Sequence, residues 1–301
     1  MNSTDNPLEE DSLDDSSSWS SESSGELPSA EDVDALLNSE MCQLSLDERN
    51  KVYQDIHGVS DEINETPDLV AKSHHQLDLE IEQIKEKTAY DLACSIDRNY
   101  VMDKDFRMKF LRSTLFDAKA AATKMVQFFE MKRDLFGQGK LARDITQNDL
   151  SKEDLTDLYS GRHQLLPVRD SAGRGVILWI PPWIKPVEEE PSDSLGHDEQ
   201  IRNRLRSTFY AAMVNSEDEG IQKAGLVIVI AGFTTGKPPR FSSTIRKNQR
   251  AVKALLQIIP TRVNAIHACY DHPMTGLFLN FFKFAVNTFT RVRMRTHHGK
   301  S

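Results

Sequence analysis

Cysteine is nearly absent from this chain. Cys42, Cys94 and Cys269 are odd in number, widely scattered and without a CxxC spacing, which argues against a disulfide framework and fits reduced thiols. Long apolar runs are lacking as well: the longest nearly continuous one, Ala224 to Phe233, is about half of the ~20 residues needed to cross a bilayer. No transmembrane helix is expected. Basic residues are missing from the first 48 positions, which hold 14 acids and no Lys or Arg, whereas a secretory leader would be basic and then apolar. Cytosolic residence is the resulting expectation.

The net charge of -9 averages two opposed regions. Outside residues 1 to 48 there are 32 acids against 37 basic residues, and from Arg240 to Ser301 there are 11 Lys or Arg with Asp271 as the single acid. Such an end suits an anionic partner, phospholipid or nucleic acid, although a basic face that is merely solvated needs no partner at all. The basic end lacks the aromatic spacing of a single-strand platform, so no nucleic acid is expected.

Residues 1–44 read as an acidic, Ser-rich disordered tail with little to bury. In it Ser12, Ser23 and Ser29 each have an acid three positions on, and phosphorylation would deepen the charge. Order is expected from Ser45, which has capping-box spacing to Glu48, with Gly58 as a stop. Residues 45–100 read as a helical extension in which Thr66 caps a helix, Pro67 opens it, and Leu77, Ile81, Ile84 and Leu92 keep one period. His74 and His75 on it read as surface residues. Residues 101–160 read as a helical subdomain, with Asp117 capping Ala118 to Phe136 and Gly137 closing it.

From Leu165 the pattern turns strand-like. Leu165 to Val168 and Val176 to Ile180 flank a turn, the run Pro186 to Pro191 reads as a loop, and Ile201 to Ala212 as a helix. Leu226 to Ile230 is a strand buried on both faces. A helix stripe through Ile245 and Ile259 precedes strands at Arg262 to Ala268 and Phe289 to Met294. Residues 161–301 therefore predict an α/β domain: a mainly parallel sheet of about five strands flanked by helices.

Catalytic chemistry finds little footing. Gly232 to Lys237 is one residue short of a phosphate loop, with Pro238 in place of Ser or Thr. His267, Cys269, Asp271 and His272 match no zinc spacing, and there is no GxSxG elbow. A non-enzymatic protein without cofactor or metal is expected. More telling is the helix Met274 to Val286, whose Met274, Leu277, Phe278, Phe281, Phe282 and Phe284 cover most of its circumference. One face would stay apolar after packing, as in the lid of an apolar pocket, although a fully buried core helix has the same composition. Lys283 is its only charge, and Arg291, Arg293 and Arg295 follow.

With these residues assembled, the chain from about residue 95 resembles the CRAL-TRIO lipid-binding family, which includes phosphatidylinositol/phosphatidylcholine transfer proteins and tocopherol and retinal carriers. The most specific match is Phe106-Arg-Met-Lys-Phe-Leu-Arg-Ser-Thr-Leu-Phe-Asp117, similar to the family's opening helical motif; Asp170 to Arg174 resembles its Asp-x-x-Gly-Arg turn into a first strand. The resemblance implies a lipid pocket, a mobile gate helix at Met274 to Val286 with Phe289 beyond it, and headgroup contacts from Arg112, Thr288 and Arg291. The chain departs from the family at Thr261, where phosphoinositide binders often carry Glu, and at Val229, near where an Asp is usual. Family members also continue with a Leu-Pro and Gly-rich segment, so a domain incomplete at its C-terminus is expected.

The sequence thus predicts a monomeric, cytoplasmic protein, peripherally associated with membranes, that holds a phospholipid or other hydrophobic ligand and transfers or presents it at anionic surfaces. The rival expectation is a regulatory interaction module in which the acidic tail folds back on the basic end until phosphorylation releases it.

Overall fold

A computed structural model of the protein describes residues 29–59, 63–181, 197–234, 254–286 and 288–299. Ser12, Ser23, Trp19 and the run from Pro186 to Pro191 lie outside the described residues, as do most of the loop and helix expected between Gly236 and Val252.

Order begins earlier than the composition suggests. Residues Ala30–Gln43 form a helix, α1, although residues 1–44 read as a tail. Ser29 caps it by accepting from the Asp32 amide at 3.1 Å while the Asp32 carboxylate takes the Ser29 amide at 2.9 Å. Few apolar residues suffice to hold it. Val33 is buried, and Leu37, Met41 and Leu44 pack on Val52, Ile56 and Val292. Helix α2 (Leu46–His57) starts on the expected Ser45–Glu48 capping box and ends at Gly58, whose φ of 65° only glycine adopts without strain. A Cβ at Gly58 would also lie 2.9 Å from the Arg174 guanidinium.

The amphipathic run expected to continue to Leu92 is instead two helices, α3 (Pro67–Gln83) and α4 (Thr88–Ile96). Lys87 decides the break, since its ammonium donates to the carbonyls of Ile81 and Ile84 at 3.0 and 2.8 Å and so satisfies the end of α3. His74 is not the surface residue its sequence position suggested: it is half-buried with neither ring nitrogen hydrogen-bonded among the described residues. Short α5 (Arg98–Met102), α6 (Lys104–Ser113) and α7 (Ala118–Phe136, capped by Asp117 and followed by Gly137) complete the helical subdomain. Phe106, Phe110, Phe128 and Phe129 meet there, mostly edge-to-face. Beside them Lys132, 1 % exposed, spends its hydrogens on the carbonyls of Leu141 and Arg143 and on the Tyr100 hydroxyl.

Helix α8 (Lys152–Tyr159) leads into the sheet, β1 (His163–Arg169), β2 (Gly175–Trp179), β3 (Leu226–Gly232), β4 (Val263–Tyr270) and β5 (Met294–His298). The strands lie in chain order, β1 antiparallel to β2 and the others parallel. This is the α/β fold expected: a mainly parallel five-stranded sheet with helices α9 (His197–Asn215), α10 (Glu219–Ala224) and α11 (Pro273–Ala285) in its crossovers, behind an N-terminal helical region. Leu226, Val227 and Ile230 of β3 are buried and its Ile228 and Val229 half-buried.

One strand is displaced from its expected position. Thr288–Val292 is a helical turn, α12, and the strand follows it. The reason is Arg291, whose Nε donates to the Lys283 carbonyl at 2.7 Å and whose Nη2 donates to that of Val286, closing the C-terminus of α11. An extended backbone through Thr288 to Val292 would carry that guanidinium away from the helix end it closes.

Candidate functional site

Register places the apolar residues of alternate positions on one face. Ile177, Ile228, Ile266 and Met294 stand side by side across the parallel strands, and Trp179, Ile230 and Ala268 form the next row. Leu279, Phe282 and Val286 of α11 pack on this face. Where α11 does not reach, the sheet, α9 and residues Leu256 and Ile259 enclose a cavity of about 310 Å³. Its wall includes Ile177, Trp179, Leu226, Ile228 and Ile230 from the sheet, Ala212 and Val214 from α9, and Phe282 from α11.

Among the described residues no Asp, Glu, Lys or Arg lines this cavity; the polar groups there are Gln147, His163, Gln164, Thr208, Tyr210, Asn215 and Thr261. His163 lies parallel to Trp179, ring centres 6.1 Å apart, and burial lowers its pKa to about 4. It is neutral at pH 7. Thr261 is 2 % exposed and its hydroxyl has no hydrogen-bond partner among the described residues. The cavity therefore offers hydrocarbon walls and a few neutral hydrogen-bonding groups.

Helix α11 coincides with the expected gate segment, with His272 accepting from the Met274 amide at 3.1 Å at its start. Of the expected pocket residues, Phe282 is buried and reaches the cavity, Met274 is half-buried, and Leu277 is exposed. The side chains of Phe278, Phe281 and Phe284 lie outside the described residues. Phe289 does not join the cavity; it is 53 % exposed on α12, with the Arg293 guanidinium 3.8 Å from its ring centre.

The three expected headgroup residues occupy two places. Thr288 and Arg291 converge on one carboxylate, that of Glu40 in α1: the Thr288 hydroxyl donates to Oε1 at 2.6 Å and Arg291 Nη1 donates to the same oxygen. Arg112 is held elsewhere, in a two-pronged pair with Glu65 at 2.8 and 2.7 Å. It lines a small polar cavity of about 50 Å³ with Arg174, Lys223 and Arg262. Leu115 and Phe116 form part of its wall with φ of 55° and 63°, two successive non-glycine residues in the left-handed region.

Sequence reading missed several of these groups. The strands that carry Ile177, Trp179, Leu226, Ile228 and Ile230 were legible as strands, but their place in the cavity wall was not. Glu40 and Glu65 carried no local signal at all. The three thiols are unpaired, and among the described residues no group of three or more His, Cys, Asp or Glu is placed to share a metal ion. Among the described residues no helix is long and apolar enough to cross a membrane. In comparisons with known proteins, no family model and no curated protein matches the chain.

Proposed function

We propose that this protein binds a hydrophobic lipid in the cavity between the sheet, α9 and α11 and transfers or presents it at membranes, as its resemblance to CRAL-TRIO proteins implies. The observation that carries the reading is the cavity of about 310 Å³, with no charged side chain in its wall among the described residues. That volume stands at the low end of the range of about 300–1,000 Å³ for small-molecule sites. Transfer of hydrocarbon from water into it is favourable by roughly 25 cal/mol per Å² of apolar surface. Helix α11 forms part of the roof through Phe282, so ligand exchange requires that helix to move, a change between two states that the membrane biases. No covalent step is needed, and the residues that act are the hydrocarbon walls with Thr261 and His163 as neutral hydrogen-bonding groups.

Mass spectrometry of lipid extracted from the full chain, purified from a eukaryotic host, tests this. A stoichiometric hydrophobic species is expected. A protein that carries nothing and also fails to take up a fluorescent fatty acid would overturn the proposal.

A further inference from the structure

The parallel register puts the residue before each strand at one edge of the sheet. Arg174 precedes β2, Arg262 precedes β4 and Arg293 precedes β5. Arg112 shares the small cavity with the first two, and Arg291 sits two residues from Arg293. A row of guanidinium groups therefore runs along this edge. Segments 29–59 and 63–66 lie across it and bring three acids, Glu40 to Arg291, Asp55 to Arg293 at 2.9 Å and Glu65 to Arg112 at 2.7 Å, while Asp170 holds Arg174 at 2.7 Å and Glu219 holds Arg112 at 3.0 Å from outside those segments. Arg174 adds a hydrogen bond to the Asp55 carbonyl.

Two observations indicate that this cover is displaceable. Glu40 is buried, yet its Oε2 has no hydrogen-bond partner among the described residues, so its carboxylate is better solvated off the site than on it. Arg262 has a buried Nε without a partner and no ion pair to a carboxylate among the described residues. Buried ion pairs contribute little net stability once both members have another polar partner to go to.

The apolar neighbours identify what that partner is. Leu115 and Phe289 are each more than a third exposed and border the guanidinium row. Exposed hydrocarbon interleaved with Arg suits the layer where lipid phosphates meet acyl chains. We propose that residues 29–59 and 63–66 are an acidic cover over a membrane-docking edge, and that anionic phospholipid headgroups displace Glu40 and Glu65 from Arg291 and Arg112. The inference rests on the lipid-exchange reading only for the membrane as the place of action, and it locates the acidic restraint in α1, α2 and Glu65.

The test is partition of the full chain onto phosphatidylcholine vesicles with and without phosphatidylserine. Glu40→Gln/Glu65→Gln should bind the serine-containing vesicles about 5-fold more tightly than the parent, chiefly through Arg291, since Arg112 keeps its pair with Glu219 at 3.0 Å, and should ignore pure phosphatidylcholine. Glu82→Gln/Glu86→Gln makes the same charge change at exposed positions and should stay close to the parent. Equal gains in both variants, no gain, or a gain on pure phosphatidylcholine would overturn the cover, and tighter binding to an RNA oligonucleotide than to vesicles would overturn the membrane as its partner. Should the double variant not fold, hydrogen exchange of the parent decides: α1 amides should lose protection on serine-containing vesicles alone, and unchanged protection would overturn it. Neither measurement needs a loaded cavity, so an empty cavity and a fixed cover are separate failures.

Discussion

The hydroxyl of Thr288 donates to Oε1 of Glu40 at 2.6 Å, joining residues 248 positions apart. Arg291 Nη1 donates to the same oxygen, so α1 and α12 are tied by two donors on one carboxylate oxygen. A double-mutant cycle on Glu40→Gln and Thr288→Val, read by denaturant unfolding, should give a coupling of about 1 kcal/mol. Strict additivity would mean that packing by Val33, Leu37 and Met41 alone holds α1.

Thr261 carries a buried hydroxyl with no hydrogen-bond partner among the described residues. Replacing it with Val removes an unsatisfied group at nearly constant shape, so the ligand-free protein should be unchanged or stabilised by up to ~1 kcal/mol. If a ligand's polar group bonds that hydroxyl, Thr261→Val should weaken loading while leaving the thermal midpoint of the empty protein intact. Equal loading by both proteins would remove Thr261 from ligand binding.

His163 supplies a pH dependence. Its folded pKa, about 4, lies below the ordinary histidine value because burial disfavours the charged ring. The unfolded chain therefore binds the extra proton first, and stability should fall as pH drops from about 6.5 towards 4, by on the order of 2–3 kcal/mol from this group. His163→Gln should flatten the stability profile over that window. An unchanged slope would show that the ring titrates as freely in the folded protein as in the unfolded one.

Lys132 holds the helical subdomain through the carbonyls of Leu141 and Arg143. Lys132→Met keeps the length of the stem and strands both acceptors, so a loss of about 2–4 kcal/mol in urea unfolding is expected. Burial lowers its pKa to about 7, and because the unfolded lysine keeps its proton to higher pH, stability from this group should rise with pH between about 7 and 10. A flat profile there, shared by the Met variant, would show that its charge is retained in the core.

Legibility differed by kind of contact. Asp117, Gly137, Ser45 and Gly58 each announce a helix end within three or four residues, and the structure uses all four. The Phe-rich segment announces a helix, read as a pocket lid with a buried core helix as the alternative, and among the described residues Phe282 is the expected one that reaches the cavity. The end of α3 was misread because the residue that closes it, Lys87, acts through a side chain rather than a stop signal. Residues Phe289 to Val292 read as part of a strand because β-branched and aromatic residues favour extension, and the Arg291 contacts to α11 override that preference.

What the sequence by itself determined is what near neighbours encode: the caps, the apolar periods and the order of helices and strands that selects a parallel sheet. These rest on backbone hydrogen bonds and burial within a few residues. Only the tertiary structure decided that Glu40, Asp55 and Glu65 would meet Arg291, Arg293 and Arg112, and that a cavity would remain beside Phe282. A charge attracts any opposite charge in reach, and which one it meets depends on how far the intervening chain has folded.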